Sequence, residues 1–204
     1  MLETNNISLQ INNLTLRSRA NGKGVRTVIW TQGCNLRCSG CFNPKLWKFE
    51  GGRSLTPQEL SEMIPSDVEG ITISGGEPLL QDDLLPFLIQ FRRLKPKLNI
   101  ILLTGFTPVE KEDDFHWIEF LGLVDVIVSG RYQEENHIGE GIRGSSNKEY
   151  IFLSDEFSKQ DFENLPQTEV ITQEDGSLLV TGMVNSEELT QALRELGVDN
   201  ISSL

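Results

Sequence analysis

Three cysteines, Cys34, Cys38 and Cys41, sit in the stretch TQGCNLRCSGC (residues 31–41), and the 204-residue chain has no others. Thiols at C-x3-C-x2-C spacing suit metal or redox chemistry. Three uses compete. A structural zinc site takes four N or S ligands, and the fourth would have to be His116 or His137, both distant in the chain. A redox pair of Cys38 and Cys41 leaves Cys34 idle. A [4Fe-4S] cluster normally takes four thiolates; held by three, it uses every cysteine and leaves one iron open to an outside ligand. A second stretch, Gly75-Gly76-Glu77-Pro78, also suits a ligand. Its glycines admit close backbone approach, Pro78 fixes a turn, and Glu77 adds a carboxylate.

These groups need elements to position them. Residues 25–31 (VRTVIWT) read as a buried strand ending at Gln32-Gly33. Thr56-Pro57-Gln58-Glu59 is a capping box with proline at the first helical position, predicting a helix to about Ile64. Residues 70–74 (GITIS) form a strand halted by Gly75-Gly76. Asp82 caps a helix through about Leu94 that turns Leu85, Leu88, Ile89 and Phe91 inward. A strand at 98–104, a helix at about 108–121 and a strand at 124–129 follow. This alternation predicts βαβ units around a parallel sheet. In such folds the carboxyl ends of the strands share a rim where sites form, so the cysteines, the double glycine and the turns at Gly105 and Gly130 should converge. Residues 131–148 (RYQEENHIGEGIRGSSNK) form a long polar loop, and loops of that length lean towards function. Residues 150–153 are a candidate strand. Residues 169–172 and 178–181 flank a turn at Asp175-Gly176, predicting a hairpin. A helix at 186–196 closed by Gly197 ends the chain.

The composition, 38% hydrophobic and 24% charged, is that of a globular domain. No apolar run reaches the roughly 18 residues of a membrane span, and the first residues lack a signal-peptide pattern, so a cytoplasmic location is expected. Net charge of −12 argues against nucleic acid or membrane surfaces as partners.

The order of C-x3-C-x2-C and GGEP, each after a strand, resembles the radical S-adenosylmethionine (SAM) superfamily. CNLRCSGCFNPKLW (34–47), the Thr104-Gly105-Phe106 turn, Arg143-Gly144-Ser145-Ser146-Asn147 and NGKGVR…GC (21–34) are similar, within it, to the activating proteins of anaerobic ribonucleotide reductase. Lys23 stands where that pattern has proline. The resemblance covers about residues 20–153.

It implies an α/β fold, a partial (β/α) barrel with a parallel sheet over residues 1–153; residues 154–204 lie beyond the resemblance and read, from their own pattern, as a hairpin-helix extension packed on this core. It implies a [4Fe-4S] cluster on Cys34, Cys38 and Cys41, with SAM on the open iron. Reductive cleavage of SAM gives a 5′-deoxyadenosyl radical that generates a glycyl radical on a large partner, an anaerobic ribonucleotide reductase. A flavodoxin- or ferredoxin-type protein is the implied electron donor. Gly75, Gly76 and Glu77 are expected at the methionine end of SAM. Gly40 and Phe42 flank the last cysteine and touch the adenine, or Phe42 simply packs in the core. Thr104 and Arg131 reach the ribose or carboxylate, or Arg131 is solvated. Arg143–Asn147 shape a loop over SAM or towards the partner, or a capped surface turn. His116 and His137 are read as non-ligands. Two other readings stand beside this one: activation or modification of another glycyl-radical enzyme or peptide, and a non-catalytic iron–sulfur electron carrier or zinc protein.

Overall fold

The computed structural model describes residues 7–173, 175–183, 186–195, 197–198 and 200–203. Among these residues ten strands form two sheets. The larger has the order β3-β1-β2-β4-β5-β6-β7. Its middle is parallel: β2 (Arg26–Thr31), β4 (Gly70–Gly75), β5 (Asn99–Leu103) and β6 (Val126–Ser129) run side by side. On one flank lie the antiparallel β1 (Leu9–Ser18) and β3 (Arg53–Leu55), on the other the antiparallel β7 (Glu149–Phe152). The fold is mixed α/β with a mostly parallel central sheet whose outer strands are β3 and β7.

Both faces of the parallel strands are covered, so β2 is buried at every position, as such strands require. Alternation along β5 sends Ile100 and Leu102 to one side and Ile101 to the other. The first side meets helices α1 (Pro57–Met63), α2 (Leu84–Leu94) and α4 (Phe115–Leu121), through Leu60, Phe87, Leu88, Phe91, Trp117 and Phe120. The second side meets Ile142, Phe157, Phe162 and Met183, so the C-terminal region covers a sheet face.

Several expectations change in detail. The α1 capping box is present, with Thr56 and Glu59 bonding reciprocally. Asp83, not Asp82, precedes α2, and its carboxylate accepts from Ser8 N at 3.1 Å rather than capping the helix. The inward set is accordingly Leu84, Phe87, Leu88 and Phe91, with Leu85 and Ile89 half-buried. The single helix expected at 108–121 is two, α3 (Pro108–Lys111) and α4, because Asp114 caps the second by accepting from His116 N. A short α5 (Gln160–Glu163) carries Phe162. The predicted hairpin is β8 (Thr168–Thr172) with β9 (Leu178–Gly182). After it, α6 (Ser186–Glu195) leads to an unexpected β10 (Ile201–Ser203), parallel to β9. The expected last helical residue, Leu196, lies outside the described residues. Among the described residues no helix is long and apolar enough to cross a membrane.

Arg26 fastens the amino ends of the parallel strands. It is fully buried and donates to Thr72 Oγ1 (2.9 Å), Ile71 O (2.5 Å), Lys23 O (3.1 Å) and Asn99 Oδ1 (2.5 Å). Its guanidinium also lies 5.7 Å from the Phe157 ring centre. Arg26→Ala leaves these acceptors dry and unpaired, and should cost about 3 kcal/mol or more in urea unfolding. Arg26→Lys should recover less than half of that loss, because one ammonium cannot reproduce the planar fork.

Candidate metal and cofactor site

The carboxyl ends of β2, β4, β5 and β6 open into a cleft with about 120 Å³ of space for water-sized groups, at the rim where sites form in parallel sheets. Cys34, Cys38 and Cys41 line it, as do Phe42, Gly75, Gly76, Glu77, Thr104, Gly105 and Gly130. The structure therefore brings together most of the residues that the sequence singled out.

The cysteine loop is held by backbone. Gly33 N donates to Leu46 O (3.0 Å) and Cys34 N to Trp47 O (3.3 Å), which lays the short 3-10 turn Pro44–Trp47 along the loop. Arg37 turns the loop at φ +52°, and its guanidinium stacks 5.1 Å from the Trp47 ring centre. The double-glycine turn is pressed onto the same loop. Gly76 N donates to Thr31 O and Glu77 N to Gly33 O, each at 2.8 Å. A Cβ on Gly76 would run into the Gly33 carbonyl, and Gly75 adopts φ +107°.

Glu77 is 1% exposed. Its carboxylate accepts from Thr104 Oγ1 (2.7 Å), Gly105 N (2.7 Å) and Leu79 N (3.0 Å). Burial pushes its carboxyl up from the ordinary range, against these three hydrogen bonds and Lys148. Glu77 and Thr104 thus line the cleft with their polar groups bonded to each other, as a brace between strand ends.

Gly40 and Arg131 are not among the lining residues. Gly40 turns the loop at φ +68°, where a Cβ would meet the Glu134 side chain. Arg131 pairs with Glu110 at 2.7 Å, donates to Gly105 O at 3.3 Å and lies 5.5 Å from the Phe106 ring centre. The basic groups that do line the cleft are Arg143 and Lys148, both at the end of the 131–148 loop; the RGSSN motif contains Arg143 and stops one residue short of Lys148. Asn147 Nδ2 donates to Arg131 O, and Ser145 is fully buried, so that motif also braces the loop. Phe42 lies 4.8 Å from the Tyr132 ring and makes an aromatic wall with it. Gly182 and Met183 complete the lining; no pattern in the sequence marks them.

The donor set fits a thiolate-held anionic group. Burial pushes the Cys34 and Cys41 thiols up, so neither is a free thiolate without a partner cation. Among the described residues Trp47 Nε1 and Arg143 Nε are buried without a hydrogen-bond partner, an arrangement that is costly unless something in the cleft accepts from them. No three His, Cys, Asp or Glu side chains among the described residues are grouped to hold one metal ion.

Comparison with known proteins agrees. Residues 20–151 match the model of the 4Fe-4S single cluster domain. The anaerobic ribonucleoside-triphosphate reductase-activating protein of Enterobacteria phage T4 is 30% identical over 148 residues, covering 69% of this chain and 92% of that one. The protein of the same name from Vibrio cholerae is 33% identical over 139 residues, covering 63% and 88%. The pyruvate formate-lyase-activating enzyme of Clostridium pasteurianum is 40% identical over 92 residues, covering 42% and 37%. With its three cysteines and double glycine on one cleft, and with this span of similarity, the chain belongs to the 4Fe-4S single cluster domain family and, within it, to the radical SAM activating enzymes.

Proposed function

We propose that the chain generates a glycyl radical on an anaerobic ribonucleotide reductase, with Cys34, Cys38 and Cys41 holding a [4Fe-4S] cluster. The observation that carries this reading is the shared cleft of the three cysteines and the Gly75-Gly76 turn. When bound, the cluster supplies one electron to SAM, giving methionine and a 5′-deoxyadenosyl radical that takes a hydrogen atom from a glycine Cα of the partner. The chain's own residues bind and orient. The bare edge of Gly75-Gly76 receives the methionine end. Phe42 and Tyr132 offer a flat wall to the adenine. Arg143 and Lys148 face the negative charge of cluster and carboxylate. Glu77, Thr104 and Arg131 hold the rim, and Gly40 lets the loop turn between ligands. Strands β2, β4, β5 and β6 serve as the staves of a partial barrel, and a flavodoxin- or ferredoxin-type protein supplies the electron. Similarity to pyruvate formate-lyase activators favours a second reading, in which the partner is another glycyl-radical enzyme.

Anaerobic reconstitution should load roughly four irons and four sulfides per chain. Addition of SAM should change the electron paramagnetic resonance spectrum of the reduced protein, and reduction should release 5′-deoxyadenosine. Cys38→Ala should abolish loading. Zinc uptake without SAM cleavage would sink the proposal. Transfer of the radical to a ribonucleotide reductase, and not to pyruvate formate-lyase, separates the two partners.

Lys148 has a measurable cost in the empty protein. Burial holds its ammonium down at about 8, from 10.5, against the pull of Glu77 and of Cys38 and Cys41. A depressed folded-state value means stability that is complete above pH 10.5 and is lost as pH falls towards 8. Cluster-free Lys148→Met should therefore unfold at higher urea than the parent at pH 7, by about 3 kcal/mol at most. The gap should close as pH rises from 8 to 10.5. In the loaded protein the order should reverse, with Lys148→Met releasing iron sooner to a chelator.

A further inference from the structure

We propose that Trp47 is the hydrogen-bond donor to the Cys41 sulfur of the loaded cluster, and so sets how readily that cluster accepts an electron. The inference rests on the cluster reading above and adds a role for a side chain that is not a ligand.

An indole N–H can only donate. That of Trp47 is buried and, among the described residues, makes no hydrogen bond of ordinary geometry, although it lines the cleft with all three cysteines. Leaving such a donor unpaired is costly, and the ring has little freedom to escape. Its backbone carbonyl accepts from Cys34 N, the preceding Leu46 O accepts from Gly33 N, and Arg37 covers its face. The cysteine loop thus folds around the indole from both sides and fixes where its N–H points.

The three cysteine sulfurs are among the acceptors that line the cleft, and the Glu77 carboxylate is already bonded to Thr104, Gly105 and Leu79. A thiol is a weak acceptor, whereas an iron-bound thiolate is a charged one and forms the stronger class of hydrogen bond. Cys41 is the ligand nearest to Trp47 in the chain. The Trp47 indole also lies within reach of its sulfur. The other indole of the cleft, Trp30, is already committed, because its Nε1 donates to Thr15 Oγ1 at 2.9 Å. A donor to a ligand sulfur stabilises the more negative, reduced state, so Trp47 raises the reduction potential.

Trp47→Phe keeps the ring and its stack with Arg37 but removes the donor. Reconstituted Trp47→Phe should bind the parent's iron and sulfide, with its cluster reduced at a more negative potential in a spectroelectrochemical titration. A second measurement leaves Trp47 in place. Protein labelled with 15N at the indole nitrogens should show a 15N hyperfine coupling to the reduced cluster, which persists in Trp30→Phe. An unchanged potential in fully loaded Trp47→Phe, or no 15N coupling in the labelled parent, overturns the inference and leaves the cluster reading intact. Failure of the parent itself to load iron and sulfide overturns both.

Discussion

One buried carboxylate fixes the floor of the cleft. Glu77 closes three hydrogen bonds at once, to the Thr104 hydroxyl and the Gly105 amide at the end of β5 and to Leu79 in its own turn. A side chain in this position holds two strand ends at a set separation, and the low dielectric around it makes each bond stronger and each loss more costly. The Gly75-Gly76 turn is the other half of the constraint. It can lie this close only because neither residue carries a Cβ, which on Gly76 would meet the Gly33 backbone and on Gly75 that of Trp30 and Thr31. The loop bearing the cysteines is thereby located against β4, and β4 against β5, before any ligand enters.

The two faces of the sheet divide the labour. Helices α1, α2 and α4 seal one face with large apolar side chains. The opposite face is covered by the 131–148 loop and by the region after β7, which brings Phe157, Phe162 and Met183 onto Val126, Val128 and Ile142. That region is tied back to the start of the chain. Lys23 pairs with Asp161 at 3.0 Å, and Glu169 accepts from Ser18 Oγ and Arg19 N. Lys23, the departure from the family pattern, is thus a tether for residues beyond the matched segment.

The parallel strands were legible because their apolar runs end at glycine turns, and that pattern already implied a common rim. Strand β1 was not, because its alternation is broken by a register shift at Asn12-Asn13. Strands β3 and β10 are three residues each, too short to show a period. At the site, the cysteines and the double glycine were readable from spacing. The inward turn of Glu77 was not, because a motif gives residue types and not the direction of a side chain. Lys148 and Met183 were hidden for a related reason. They are neighbours of the cysteines only through the tertiary fold.

The cysteine loop leaves the end of β2, and only Cys34 of the three is buried, Cys38 and Cys41 being half-exposed. None of the three belongs to either hydrophobic core. A substitution at any of the three thiols therefore removes no contact from either core, so the chemistry of the loop can be changed without disturbing the packing that holds the sheet.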